Sequence, residues 1–229
     1  MLNDFSAVDV EKAVRYIMSS LSYEGGFGQG PYLECHGGST FCAVASLWLF
    51  KRMDAMTDLQ IKRLRQWCHR RQESGFQGRP NKPVDTCYSF WIGGTLQILD
   101  SYEYTDKQFN RGYILSTQDN LTGGFGKWTT TTPDPLHSYM GIAALSLLGE
   151  SDIKPLFVPL NISQEAVSHL YRLQASWWII SITPLIDHSS EIGVTRCLNA
   201  IRINTVCIEY VFLSTIWTTD YVRLEIFTP

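Results

Sequence analysis

From Val8 onward the chain alternates two kinds of apolar pattern. In "VDVEKAVRYIMSSL", Val10, Ala13, Val14, Ile17, Met18 and Leu21 recur at three- and four-residue steps, which predicts an amphipathic helix with one buried stripe. "TDLQIKRLRQWCHRRQ" repeats the pattern with Ile61, Leu64, Trp67 and Cys68. The segments 39–51, 85–99 and 135–148 are apolar around most of their circumference, as helices packed on both sides are. Amphipathic outer helices thus alternate with apolar inner ones through Gly-rich turns. No strand pair with a hairpin signal is expected before residue 173.

The alternation has a period. "GGFGQG", "SGFQGR" and "GGFGKW" place Phe27, Phe76 and Phe125 49 residues apart, and Phe41, Phe90 and Tyr139 keep the same register. Two landmark series with one period identify a repeat architecture, one supersecondary unit per period. Helical hairpins stacked side by side predict an all-α fold, an α/α barrel or toroid, with the repeat domain spanning 1–173.

Residues 174–229 depart from this. They hold ten isoleucines, one glycine and no lysine, and the repeat stops. This tail is expected to be irregular: either disordered or foreign to the repeat fold, through an altered reading frame or a retained intron, or else a small β-rich appendage, since Ile, Val, Thr and Tyr favour strands.

Composition narrows the classes. A formal net charge of −3 with 18% charged residues offers no basic excess for nucleic acid and no acidic tail. "MLNDFSAVDVEK" has neither the cationic nor the apolar region of a signal peptide, and the longest apolar run, Trp177 to Ile186, is too short for a membrane span. Cys35, Cys42, Cys68, Cys87, Cys197 and Cys207 then read as reduced thiols of a cytoplasmic protein.

The period also aligns chemistry. Asp85 is equivalent to His36 one repeat earlier, and His137 to Tyr88, all at the start of an inner helix. Stacking brings His36, Asp85, Cys87, Tyr88 and His137 to one end of the fold. Asp85, Cys87 and His137 offer one oxygen, one sulfur and one nitrogen, a donor set that suits a catalytic zinc with an open fourth position; a structural site would want four ligands. The plainer alternative is an Asp N-cap beside a hydrogen-bonded core histidine. Arg79, Lys82 and Lys127 lie on the adjoining turns. With His36, Tyr88 and the helix N-termini they compose an anion site fit for a diphosphate, unless they are solvated loop charges. Phe41, Tyr88, Phe90, Trp91 and Tyr139 either line an apolar funnel or pack the core. Metal, anion cradle and funnel together suggest alkyl transfer from a diphosphate.

Four stretches, "YLECHGGSTFC", "GRPNKPVDTCYSFW", "YILSTQD" and "GGFGKW…PDPLHSYMGIAALSL", carry a resemblance over roughly residues 1–173. There the chain resembles the β subunits of protein prenyltransferases, most closely the geranylgeranyltransferase type I branch. Farnesyltransferase β subunits share "CYSFW" but usually lack the "GRPNKPVDT" run and the lysine of "GGFxKW". The resemblance implies that Asp85, Cys87 and His137 bind one Zn2+ and act in catalysis. It implies that His36, Arg79, Lys82, Tyr88 and Lys127 bind the diphosphate of geranylgeranyl diphosphate, and that Trp91 borders lipid and peptide. Lys127 matches a lysine that replaces magnesium, so Mg2+ is not expected. Implied partners are a prenyltransferase α subunit in a heterodimer and C-terminal CaaX proteins, often ending in Leu, such as small GTPases.

Family members carry further N-terminal hairpins, so an incomplete ring is expected here, and the tail replaces the family's own end. Three readings follow: a catalytic β subunit transferring geranylgeranyl or, alternatively, farnesyl; a truncated non-catalytic isoform that binds the α subunit only; and a triterpene-cyclase-like barrel. The last would need an Asp-rich protonating motif, which this sequence lacks.

Overall fold

The structure is a computed structural model that describes residues 7–182. The tail reading for 183–229 lies outside the described residues.

Seven helices run α1 (Val10–Ser19), α2 (Gly37–Leu49), α3 (Asp58–His69), α4 (Thr86–Ile98), α5 (Lys107–Ser116), α6 (Pro135–Leu148) and α7 (Gln164–Ile182). The first six are three outer–inner hairpins. Outer helices begin on polar caps, because their first N–H groups have no partner within the helix. Asp9 caps α1, Thr57 forms a capping box with Gln60 at α3, and Asp106 caps α5. Each outer helix buries only a narrow stripe, such as Leu64, Trp67 and Cys68 of α3. The inner helices are buried around most of their surface, and α4 packs between α2 and α6. Two layers of hairpins with the inner helices side by side form a sector of an α/α toroid, as the alternation predicts.

The periodic phenylalanines hold each hairpin together. Phe27 and Phe76 are fully buried, and Phe125 is 6% exposed. Each ring anchors the turn by removing apolar surface from water, at about 25 cal/mol per Å² buried. The backbone of the same residue then fixes the start of the inner helix. The carbonyls of Phe27, Phe76 and Phe125 accept the N–H of His36 (3.0 Å), Asp85 (3.1 Å) and Asp134 (3.3 Å). Phe27 and Phe125 also donate their own N–H to the hydroxyls of Thr40 and Ser138, each at 3.0 Å. A second strut joins neighbouring repeats. The first N–H of α2, from Gly37, reaches the carbonyl of Gly78 at 2.7 Å, and that of α4, from Thr86, reaches the carbonyl of Lys127 at 3.2 Å.

Two features correct the sequence reading. A strand pair does precede residue 173: β1 (Leu156–Phe157) pairs antiparallel with β2 (Ile162–Ser163). Between them Val158–Leu160 forms a 3-10 turn packed on α2 and α4, and Phe157 meets the Trp48 ring at 5.8 Å. Two-residue strands are too short for alternation to register in a sequence. Helix α7 also continues across 173/174, so the first residues assigned to the irregular tail are helical.

Candidate metal and anion site

The inner helices open on His36, Asp85 and Asp134, each 49 residues from the next, and each side chain caps its own helix. His36 Nδ1 accepts from the Gly38 N–H (3.1 Å), Asp85 Oδ1 from Cys87 N–H (2.9 Å) and Asp134 Oδ1 from His137 N–H (3.0 Å). The first turns thus leave their second polar atoms free for other partners. Behind Asp85, buried Thr86 donates its hydroxyl to the Gly126 carbonyl at 2.8 Å, and Tyr113 donates to the Val84 carbonyl at 3.0 Å. The turn bearing Lys127 is thereby tied to the start of α4.

Asp85, Cys87 and His137 are brought together. One donor atom from each lies within 4.8 Å of the other two, and all three residues are buried. Asp85 Oδ1 stands 3.2 Å from His137 Nε2. Burial pushes the Cys87 thiol up, and the Asp85 carboxylate adds to the effect. A metal that displaced this proton would relieve a thiol and a carboxylate crowded into one apolar setting. The donor set, one oxygen, one sulfur and one nitrogen, fits a zinc with an open fourth position.

A donor cluster adjoins this triad. His36 Nε2 contacts Tyr88 Oη at 2.8 Å, with the rings edge to face at 5.5 Å. Burial, then the nearby Arg79, lowers the pKa of His36, and burial pushes the Tyr88 phenol up to about 12. Because Nδ1 accepts the Gly38 N–H, the neutral ring carries its proton on Nε2 and donates it to Tyr88, whose own O–H is left to donate elsewhere. Gly78 permits this approach: a Cβ there would sit 2.1 Å from Tyr88 Cζ. Arg79 Nη1 pairs with Glu34 Oε2 at 2.5 Å, both side chains being partly exposed. Lys127 Nζ stands 3.6 Å from Asp85 Oδ2 and 4.8 Å from the Trp128 ring centroid, so it borders the Asp85, Cys87 and His137 triad. Lys82 is exposed on the same turn as Arg79.

The aromatics divide. Phe41 and Phe90 are core, with ring centroids 5.0 Å apart and exposures of 1% and 0%. Trp91 packs on both rings, at 5.3 and 5.7 Å, yet keeps part of its surface open. Tyr139 is exposed and hydrogen-bonds the Asn161 carbonyl.

Two site residues escape the sequence reading. Asp134 Oδ2 contacts His137 Nδ1 at 2.6 Å, and Glu34 pairs with Arg79. The 49-residue period already pointed to Asp134, the equivalent of His36 and Asp85. Nothing in the sequence pointed to Glu34. Burial alone would raise the Asp134 pKa, but hydrogen bonds from the His137 backbone and ring outweigh it and hold the carboxyl below its ordinary value.

Comparison with known proteins bears on the whole arrangement. Residues 1–165 match the model of the prenyltransferase alpha-alpha toroid domain. The chain is 42% identical over 166 residues to the geranylgeranyl transferase type-1 subunit beta of Dictyostelium discoideum, covering 72% of this chain and 47% of that protein. It is also 42% identical to the Arabidopsis thaliana subunit of the same name, covering 71% and 46%. Among solved structures, Candida albicans protein geranylgeranyltransferase-I complexed with GGPP superposes with a TM-score of 0.63 at 31% identity, covering 70% of this chain and 50% of the other. The chain spans about half the length of the curated relatives it matches.

Proposed function

The chain belongs to the prenyltransferase alpha-alpha toroid family, and from that premise we propose that it is the β-type subunit of a protein geranylgeranyltransferase type I. The reaction is transfer of a geranylgeranyl group from geranylgeranyl diphosphate to the cysteine of a C-terminal CaaX protein, often one ending in Leu. The observation that carries this reading is the convergence of Asp85, Cys87 and His137 donor atoms within 4.8 Å, beside Lys127. We take residues 1–173 as the prenyltransferase repeat domain and 174–229 as a divergent tail.

In this reading Asp85, Cys87 and His137 would hold one zinc ion, which would supply a Lewis-acid position favouring the thiolate of the incoming cysteine. Arg79, Lys82, Lys127 and Tyr88 bind the diphosphate, and His36 contributes through Tyr88, whose O–H it leaves to donate to the anion. As sulfur bonds to C1 of the lipid, the C1–O bond breaks and its electron pair leaves with the diphosphate; the thiol proton passes to solvent. These cations stabilise the charge that grows on the leaving oxygen. Lys127 supplies charge there without Mg2+. Trp91 offers its open face to lipid and peptide.

Two relatives are named as β subunits, which supports a heterodimer with a prenyltransferase α subunit, and CaaX proteins such as small GTPases are the expected acceptors. No described helix is long and apolar enough to cross a membrane; the site of action in this reading is the cytoplasm. The alternative is a non-catalytic isoform that binds the α subunit only. Co-expression with an α subunit separates the two: stoichiometric zinc and transfer of labelled geranylgeranyl to a peptide ending in Leu support catalysis. Zinc without transfer supports the non-catalytic isoform, and labelling from farnesyl diphosphate alone would replace the lipid assignment.

A further inference from the structure

We infer that Asp134 is a positioning residue that orients His137 as a metal ligand while also starting its helix. The inference rests on the zinc reading above. Its basis is the division of labour between the two carboxylate oxygens. Oδ1 accepts the His137 backbone N–H at 3.0 Å, which is the ordinary N-cap contact. Oδ2 accepts from His137 Nδ1 at 2.6 Å, a contact that no cap requires. Held from both sides, the imidazole has little rotational freedom, and its other nitrogen is aimed at Asp85 Oδ1, 3.2 Å away.

The chemistry follows from the two ring nitrogens. A histidine binds a metal through an unprotonated nitrogen, so the remaining proton must sit on the other one. Asp134 takes that proton's hydrogen bond at Nδ1 and thereby reserves the Nε2 lone pair for the ion. A carboxylate acceptor also makes the ring more basic toward the metal, which is why such partners contribute to affinity. The neighbouring repeats mark this as a specialised cap. His36 and Asp85 occupy the same register position, and each bonds N–H groups two residues ahead, Gly38 and Cys87. Asp134 reaches three residues ahead, to the residue whose ring it also holds.

The test compares the full chain with Asp134→Ser and Asp134→Asn. Serine is a strong N-cap but cannot span to the ring. Asparagine keeps the shape, yet either amide orientation forfeits one of the two bonds, and the amide N–H toward Nδ1 would force the proton onto Nε2. Zinc affinity, read by competition with a chelator, should fall about 10- to 100-fold in both variants. The visible bands of the cobalt-substituted chain should shift, because the His137 ring is no longer fixed. Thermal unfolding of the metal-free Asp134→Ser chain should stay close to the parent's, which separates the effect from loss of the cap. Parent-like metal affinity and parent-like cobalt bands in both variants would overturn the role of Asp134 and leave the zinc reading standing. A parent chain that binds no zinc would overturn the zinc reading itself, and this inference with it.

Discussion

His36 meets Tyr88 at 2.8 Å across the same joint at which Asp85 meets His137 at 3.2 Å. In both pairs the cap of one inner helix touches the third residue of the next, 52 positions later. One pair lies in the donor cluster and the other in the Asp85, Cys87 and His137 triad. Helix α4 serves both, since it carries Tyr88 for the first joint and Asp85 for the second. The donor triad and the His36–Tyr88 pair therefore share one helix, at a spacing set by packing.

Replacing Cys87 or His137 by Ala should remove zinc and lipid transfer while leaving binding of the lipid diphosphate largely intact. Metal analysis of the purified variants checks this, and unchanged zinc content in either would refute the ligand assignment.

Arg79→Ala should weaken diphosphate binding by the loss of a charge-assisted hydrogen bond, typically ~1.5–3 kcal/mol. Titration with geranylgeranyl diphosphate or inorganic pyrophosphate measures it. An affinity equal to the parent's would place Arg79 outside the pocket and leave it as the partner of Glu34 only.

Gly78→Ala tests the close approach of the turn to Tyr88. The added methyl would lie 2.1 Å from Cζ and 2.5 Å from Oη, so the ring must swing out and release His36. Overpacking of this kind costs about 1–3 kcal/mol. Denaturant unfolding should show the loss, and pyrophosphate affinity should drop with it; parent-like values for both would mean that the ring moves aside without consequence.

Acid should weaken the fold partly through His69, which contacts Ser101 Oγ at 2.9 Å. Burial, then Arg65, lowers its pKa below the ordinary 6.5. Below about pH 6.5 the unfolded chain takes up a proton that the folded chain resists, so stability rises with pH through this window. The contribution is complete above the unfolded pKa and is lost as pH falls from there through the folded pKa. Urea unfolding at about pH 5.5 and 7.5 should show a smaller difference for His69→Gln than for the parent. Equal differences would assign the acid sensitivity to other groups.

Much of this was legible before any coordinates, because buried phenylalanines at a fixed period report the stacking order of hairpins. That order alone brings Asp85, Cys87 and His137 to one end. Side-chain direction within a helix was less accessible. Phe90 faces the core while its neighbour Trp91 keeps an open face, and only the rotation of α4 decides which is which. Asp134 stood in plain register, but an aspartate before Pro135 reads as a simple cap until its second oxygen is seen against His137. Glu34 pairs with a residue 45 positions away through an exposed contact that leaves no periodic trace.

Because every inner helix needs a polar acceptor at its first position, the scaffold supplies reactive groups where it would in any case need caps. Under the proposed function, substitution tolerance at His36, Asp85 and Asp134 is narrowed twice over, once by folding and once by chemistry. A survival screen would score both kinds of failure alike and would overstate how many of these positions touch substrate.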